Sequence, residues 1–331
     1  MLSLKLPRLL SINQVPKVFR ERDILFGYRH PWSSARDCIF SVFQMTNETV
    51  NIWTHLLPSG YFLWKLFVLL FAWDVWNDPF AWPFLTYMLT CCLYPLASSF
   101  AHTFSTMSCQ ARHICYFFDY GALSLYSLGS AIAYSAYVFP EEWVGSTFHQ
   151  CYIFIAVLNT VLSTSLSCYS RFTEAERPKF TKVIRTVAFA YPYVFDSLPL
   201  FYRLYLCAAR GCSEIVIPSH YRHVAFAFLT CFIYATHLPE RLVPGLFDYI
   251  GHSHQLFHIC AVMGTHFQME SLLIDMTDRR DWLLASSPIP SISQTVGPVV
   301  ASLTISLLII AAFSTTLYSV PKFSRREKHR D

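Results

Sequence analysis

Long apolar stretches decide what this chain can fold into. The clearest runs from Thr295 to Tyr318 without a single charged residue. A helix needs about 20 mostly apolar residues to cross the hydrocarbon core of a bilayer. Eight segments predict such helices: near 52–73, 80–103, 114–137, 149–168, 183–204, 222–239, 250–272 and 294–318. The sequence therefore predicts an all-α integral membrane protein with about eight spans.

The composition agrees with burial in lipid. Charged residues make up 14% of the chain and hydrophobic residues 54%. Soluble domains carry about 25% charged residues, so most of this surface does not face water. The net charge of +4 is too small to indicate nucleic acid as a partner. The loops are short, and the chain reads as an N-terminal arm (1–48), one membrane domain (49–319) and a basic tail (320–331).

Basic residues cluster in three places, which indicates the orientation of the spans. They lie in the arm, in the loop after the fourth span and in the tail: Lys5, Arg8, Lys17, Arg20, Arg22, Arg29, Arg36; Arg171, Arg177, Lys179, Lys182; Lys322, Arg325, Arg326, Lys328, Arg330. Loops rich in lysine and arginine stay in the cytosol, so both termini are predicted to be cytosolic. Arg279 and Arg280, after the seventh span, would then face outside.

Two short motifs have a local reading. Asn47-Glu48-Thr49 fits the glycosylation acceptor pattern, but it precedes the first span on the predicted cytosolic side, where acceptors are not used. Cys207 and Cys212 fall in a predicted external loop and are close enough in sequence to form a disulfide. Pairing cannot be decided from sequence alone, so both states of these cysteines stay open.

Ionisable residues inside a membrane are costly and mark function by default. His102 ends the second span, Asp119 opens the third, and His254 and His258 open the seventh, all at one depth near the cytosol. His254 and His258 are four residues apart and so share one helix face. That spacing suits two imidazoles on one metal ion. With His102 added, the sequence predicts a zinc site.

Three histidines with an open fourth position form the catalytic kind of zinc site. Asp119 would hold the bound water and accept its proton, since zinc lowers the pKa of such water to about 7. Ser98 lies one turn before His102 on the same face and would donate to an oxyanion or orient the water. The competing interpretation is that these histidines only hydrogen-bond neighbouring helices.

That structural interpretation is preferred for five other histidines: His55, His149, His237, His252 and His266. Glu240 and Arg241 end the sixth span and are interpreted as an interfacial ion pair.

The fifth span is the least apolar and holds an acid. Asp196 lies there with Tyr193 and Ser197, and these three residues are weak candidates for ligand contacts. An equally open alternative is that Asp196 pairs with Arg203 at a helix end. The sequence does not otherwise identify a ligand pocket, because an apolar pocket resembles any lipid-facing groove.

Four stretches resemble the progestin and adipoQ receptor family. They are TNETVNIWTHLLP (46–58), SSFAHTFSTMS (98–108), FFDYGA (117–122) and HLPERLVPGLFDYIGHSHQLFH (237–258). The likeness covers nearly the whole chain. It implies a seven-helix core of the adiponectin-receptor type, to which this chain adds an eighth, C-terminal span. It also implies zinc on His102, His254 and His258, with Asp119 reached through water and Ser98 beside it.

The resemblance further implies a receptor at the plasma membrane. Its ligand would be progesterone or a related steroid, and its signal would pass through an inhibitory heterotrimeric G protein. The alternative is a zinc-dependent amidase that acts on ceramide or a similar sphingolipid, with the steroid modulating hydrolysis. The open metal position favours the enzyme, and the resemblance favours the receptor. A transporter is disfavoured because no internal repeat is present.

Overall fold

The computed structural model describes residues 7–174, 177–212, 214–288 and 290–319. These residues form helices and connecting loops, with one isolated bridge between Leu10 and Tyr28. The predicted basic tail, 320–331, lies outside the described residues, as do the first six residues of the arm. The helices are α1 Ala35–Ser41, α2 Thr49–Ala72, α3 Trp82–Phe104, α4 Cys109–Tyr137, α5 Thr147–Thr173, α6 Pro178–Asp196, α7 Leu198–Arg210, α8 Ile217–Thr236, α9 Ser253–Asp278, α10 Arg280–Ser286 and α11 Val296–Ser319.

The all-α membrane fold predicted from the sequence is confirmed. Each predicted span coincides with a long helix or, for the fifth, with a pair of helices. By length and composition alone, four segments of the described chain are apolar enough to cross a membrane: Thr49–Ala72, Pro79–Phe104, Thr147–Thr173 and Val296–Ser319. The total of eight spans stays a prediction.

The fifth predicted span is not one continuous helix. α6 ends at Asp196, and α7 begins at Leu198 with Pro199 in its first turn. A proline inside a helix removes one hydrogen bond and clashes with the preceding turn, whereas it fits the first turn of a new helix. The prediction of an unbroken helix over 183–204 is therefore wrong, because Pro199 starts a second helix instead of continuing the first.

Close helix packing holds the core together. A Cβ atom added at Gly129 of α4 would lie 2.3 Å from the hydroxyl of Thr90 on α3, so only glycine allows this approach. α11 lies against α4 and α5, where Ile310 and Leu317 bury themselves with Phe117 and Cys168. The last turns of α11 are thus beside the start of α4 and the end of α5.

The N-terminal arm folds back over this same end of the bundle. The carboxylate of Asp248, in the loop between α8 and α9, accepts hydrogen bonds from the backbone N–H groups of Leu25 and Phe26 at 2.9 and 2.8 Å. Glu21 of the arm forms an ion pair with Arg112 at the start of α4. The arm is therefore a structured part of the molecule.

The opposite end of the bundle is closed by arginines. Arg279 donates to the backbone carbonyls of Tyr137 and Phe139 at 2.6 and 2.9 Å, at the end of α4. Arg280 forms a bidentate pair with Asp78, at 2.9 and 3.2 Å. These contacts use the two arginines that run against the predicted charge bias. They place the loop after α9 beside the loop that precedes α3.

Two further sequence-based expectations are decided at this end. Arg203 pairs with Asp275 at 2.8 Å and with Glu214, so its proposed pairing with Asp196 is wrong. Arg203 lies on α7, beyond the break at Pro199, and there it faces α9. Cys207 and Cys212 form a disulfide, with Cα atoms 5.0 Å apart.

Candidate metal centre and interior cavity

The three histidines singled out in the sequence converge at the end of the bundle covered by the arm. One ring nitrogen of each of His102, His254 and His258 lies within 4.8 Å of the other two. The Nε2 atoms of His102 and His254 are 3.1 Å apart. Nitrogen ligands at 2.0–2.1 Å from a tetrahedral zinc ion are about 3.3 Å apart. The donor set and its spacing therefore fit a zinc ion with small adjustments.

Two of these rings are oriented by hydrogen bonds to their other nitrogen. Nδ1 of His102 bonds the carboxylate of Glu48 at 2.8 Å. Nδ1 of His258 lies 3.1 Å from the hydroxyl of Thr54 and 3.2 Å from the backbone carbonyl of Asn51. Such partners fix which nitrogen is free, and metal-bound histidines almost always have them. Nε2 of both rings is thus the nitrogen left for a metal.

Glu48 is a functional residue that the sequence reasoning missed. Its side chain is buried, and it also accepts a hydrogen bond from Nδ2 of Asn51 at 2.7 Å. The signal that was available is an acid at the start of an apolar span, where a buried charge needs a partner. Asn47 is likewise buried, which agrees with the prediction that the Asn47-Glu48-Thr49 motif carries no glycan.

The ends of α3 and α9 are held by buried charged groups. The guanidinium of Arg29 donates to the backbone carbonyls of His102 and Thr103, which have no partner within the last turn of α3. At the start of α9, the carboxylate of Glu240 accepts from the backbone N–H of Ser253 at 2.7 Å and from its hydroxyl. Both contacts fix helix ends that carry triad histidines.

The expected ion pair between Glu240 and Arg241 is wrong. Arg241 is exposed, and Glu240 is turned inward to Ser253 and His237. Burial raises the pKa of Glu240, but the hydrogen bonds from His237 and Ser253 outweigh it and lower that pKa to about 2. Glu240 is therefore an ionised group aimed at the positive end of α9, where an anion is stabilised.

Asp119 and Ser98 line the same cavity as the triad. Ser98 is buried on α3, one turn before His102, and Asp119 is half-buried on α4. α4 begins at Cys109, so Asp119 lies about three turns into the helix and not in its first turns. Both residues face the space into which a substrate or ligand beside the histidines would extend.

The remaining histidines mostly have the structural role predicted for them. His149 bonds the backbone carbonyl of Ser135, His252 that of Asn47, and His266 the hydroxyl of Tyr61. His237 lies 3.7 Å from Glu240.

His55 is the exception among these histidines. Both of its ring nitrogens are buried without a hydrogen-bond partner, and its ring stacks on that of His258 with centroids 3.7 Å apart. The prediction of an interhelical hydrogen bond is wrong for this residue.

A cavity of about 1870 Å³ extends from the triad into the middle of the bundle. Sites for drug-sized ligands are about 300–1,000 Å³, so this space admits a bulky lipid. Its inner part contains a hydrogen-bonded group in which Gln268 bonds the hydroxyls of Tyr87, Tyr126 and Tyr134. The lining thus combines an apolar volume with a small number of fixed polar groups.

The three weak ligand candidates of the fifth span also line this cavity. Asp196 is 4% exposed, and one of its oxygens accepts a hydrogen bond from Ser127 while the other has no partner. Ser197 is buried beside it, and the Tyr193 ring lies 6.2 Å from that of His223. Because Arg203 is engaged elsewhere, a ligand contact is the alternative that remains for Asp196.

The chain is similar over almost its whole length to curated proteins. Residues 43–269 match the family model described as "Haemolysin-III related". The chain is 58% identical to "Membrane progestin receptor gamma" from Mus musculus, covering 99% of each protein. It is 58% identical to "Membrane progestin receptor gamma-B" from Danio rerio, covering 96% of each. It is also 58% identical to "Membrane progestin receptor delta" from Homo sapiens, covering 97% of this chain and 94% of the relative.

Proposed function

The chain belongs to the Haemolysin-III related family, and we propose that it is a membrane receptor for a progestin steroid. The observation that carries this proposal is the 58% identity, over nearly the full length, to proteins named membrane progestin receptors. The interior cavity supports it, because a largely apolar space with a few fixed polar groups suits a steroid.

Access from the bilayer is consistent with such a ligand. Val194 of α6 and Phe228 of α8 line the cavity, yet their side chains are 50% and 62% exposed. Residues that face both the cavity and the outside mark an opening between these two helices. A steroid dissolved in the membrane would enter there without crossing water.

Saturable binding of tritiated progesterone to membranes of expressing cells tests the receptor proposal. Specific binding should exceed that of mock-transfected membranes and should fall on competition with unlabelled progesterone. Binding no greater than in mock-transfected membranes would refute the receptor and leave the metal centre unaffected.

The triad is proposed to hold zinc through His102, His254 and His258. A bound zinc ion would act as a Lewis acid and lower the pKa of a water molecule. The residues of the chain supply the rest. Glu48 and Thr54 orient two of the rings, and the Glu48 carboxylate partly balances the charge of the centre.

A zinc-dependent amidase for ceramide-like sphingolipids is the second candidate function. The observation that favours it is that Asp119 and Ser98 share the cavity with the triad, which a purely structural metal site does not require. Asp119 would take a proton as general base, and the Ser98 hydroxyl would donate to the developing oxyanion. Fatty-acid release from ceramide by the purified protein, with and without progesterone, tests this candidate.

The proposed setting is the plasma membrane, with the arm and the tail in the cytosol and signalling through an inhibitory heterotrimeric G protein. Basic side chains of the arm and of α6 lie at the covered end of the bundle, which supports a cytosolic face there. Progesterone should then increase binding of a non-hydrolysable GTP analogue in membranes of expressing cells, and pertussis toxin should abolish the increase. An unchanged signal with the toxin would remove the inhibitory G protein from the proposal.

A further inference from the structure

A group of basic side chains, distinct from the histidines, also lines the cavity. It consists of Arg112 near the start of α4, Arg171 near the end of α5, and Lys182 and Arg185 in the first turns of α6. We call these four residues the basic cluster. Because they come from helix ends on the arm side of the bundle, the cluster lies where the cavity meets the membrane boundary.

Aromatic rings hold the arginines in place. The Arg171 guanidinium lies 4.4 Å from the ring centre of Tyr116, and the Arg112 guanidinium lies 5.3 Å from the same ring. Arg185 lies 5.3 Å from the ring of Tyr120. Stacking of this kind favours the cations and restricts their side chains. The three guanidinium groups are therefore preorganised before any ligand arrives.

The cluster has more positive charge than its neighbours balance. Glu174 accepts from Arg171 at 2.7 Å and from Arg185 at 3.4 Å, and Glu21 pairs with Arg112. Within the described part of the chain, four cations thus share two carboxylates in these pairs. The Nε atoms of Arg112 and Arg171 are buried and have no acceptor. Buried donors without a partner are costly, which indicates that an anion belongs here.

We propose that the basic cluster binds the phosphate monoester headgroup of a membrane lipid. Arginine forks match the geometry of phosphate oxygens and can bind them in pairs. Basic pockets between helices on the cytosolic side of a membrane recognise such headgroups. The cavity continues from the cluster into the bundle, so an acyl chain has an apolar path. This proposal requires neither the steroid nor the zinc.

Phosphatidic acid with a fluorescent acyl chain is the probe. It is titrated against the purified full-length protein in detergent micelles, with phosphatidylcholine carrying the same label as the comparison. The test variant is Arg171→Gln with Arg185→Gln. Loss of a basic residue near a lipid surface costs about fivefold, so the double variant should weaken phosphatidic acid binding roughly 30-fold. Labelled phosphatidylcholine should bind weakly to every variant.

The matched control is Arg36→Gln with Arg177→Gln. It removes the same charge from exposed positions that do not line the cavity. Its affinity for phosphatidic acid should stay within about twofold of the wild type. An equal loss in both double variants would overturn the proposal, because it would mean attraction by surface charge alone. Equal binding of phosphatidylcholine would also overturn it.

Two further arms complete the test. Soluble glycerol 3-phosphate should displace the lipid only at far higher concentration, and equal potency would show a site for free phosphate and refute the lipid. If the double glutamine variant elutes as an aggregate, Arg171→Lys with Arg185→Lys replaces it. That variant retains the charge but loses the forks, so binding should still weaken measurably. Unchanged affinity in it would refute recognition by the arginine forks.

Discussion

At the scale of single residues, the triad is defined by which ring nitrogen each histidine has left. His102 and His258 use Nδ1 for Glu48, Thr54 and the backbone of Asn51, which directs Nε2 toward the centre of the triad. A histidine that serves only as an interhelical hydrogen bonder has no reason to converge with two others. The geometry therefore favours a metal ion over a purely structural role.

Removing one triad histidine should remove zinc. His258→Ala leaves two ligands, so the purified protein should lose most of its zinc, measured by mass spectrometry of the metal. Its stability should also fall, because the metal joins α3 to α9. His266→Ala is the matched control on the same helix, since His266 bonds Tyr61 away from the triad. One zinc per chain in both variants would mean that the triad is not the metal site.

Substitution of Asp119 separates metal binding from catalysis. Asparagine has nearly the same shape but cannot take a proton at neutral pH. Asp119→Asn should retain most of the zinc, while hydrolysis of ceramide should fall by about 10²–10⁴-fold, as expected for a lost general base. Asp281→Asn, at an exposed position on α10, is the control.

Three outcomes distinguish the roles of Asp119. Complete loss of zinc in Asp119→Asn would make Asp119 a direct ligand and close the fourth position. Full hydrolysis with full zinc would show that Asp119 is not the base. If wild type and variant both fail to hydrolyse any ceramide tested, the amidase candidate fails and the receptor proposal gains.

The sequence could predict the triad because its signal is local. An i, i+4 histidine pair and polar residues at helix ends of matching depth can be read from spacing alone. The partners Glu48 and Arg29 could not be found in this way, since they reach the site from the arm and from the start of another helix. Asp196 was placed correctly in a polar stretch, but its partner depended on the path of the chain after Pro199.

At the scale of helices, the start of α9 depends on Glu240. Glu240→Ala would leave the Ser253 N–H without its acceptor, which costs about 1–3 kcal/mol for a buried donor. We expect a lower thermal unfolding midpoint and a weakened grip on zinc through His254. Glu270→Ala is the control, because Glu270 is an exposed acid on the same helix. Equal midpoints for the two variants would refute the role of Glu240.

The same carboxylate gives a pH dependence. Because the pKa of Glu240 is lowered from 4.5 to about 2 in the folded protein, its stabilisation is complete above the higher value. The stabilisation is lost as the pH falls from the higher value toward the lower one. Glu240→Ala should therefore lose less stability than the wild type over that acidic range.

Helix positions were largely predictable, and helix breaks were not. Apolar length located every long helix within a few residues, since the bilayer sets that length. The break between α6 and α7 was signalled by Pro199, yet a proline can also sit in a bent continuous helix, as Pro95 does in α3. Tertiary neighbours decide between the two, and a hydropathy pattern does not contain them.

At the scale of the whole molecule, one end of the bundle carries most of the unusual chemistry. The triad, the basic cluster and the arm lie together at this end and open into one cavity. No pattern in the sequence predicts that cavity, because its apolar walls look like lipid-facing surface. Its existence follows only from how seven or more helices are arranged around it.

The orientation of the molecule can be tested with epitope tags. The end of α11 lies beside the start of α4 and near the arm, so both termini leave the bundle at one end. The basic arm predicts that this end is cytosolic. Tags before Met1 and after Asp331 should therefore bind antibody only in permeabilised cells. A tag after Gly145, in the exposed loop at the opposite end, should bind antibody on intact cells. Detection of the C-terminal tag on intact cells would rule out the cytosolic tail, and with it the even number of spans if the N-terminal tag stays hidden.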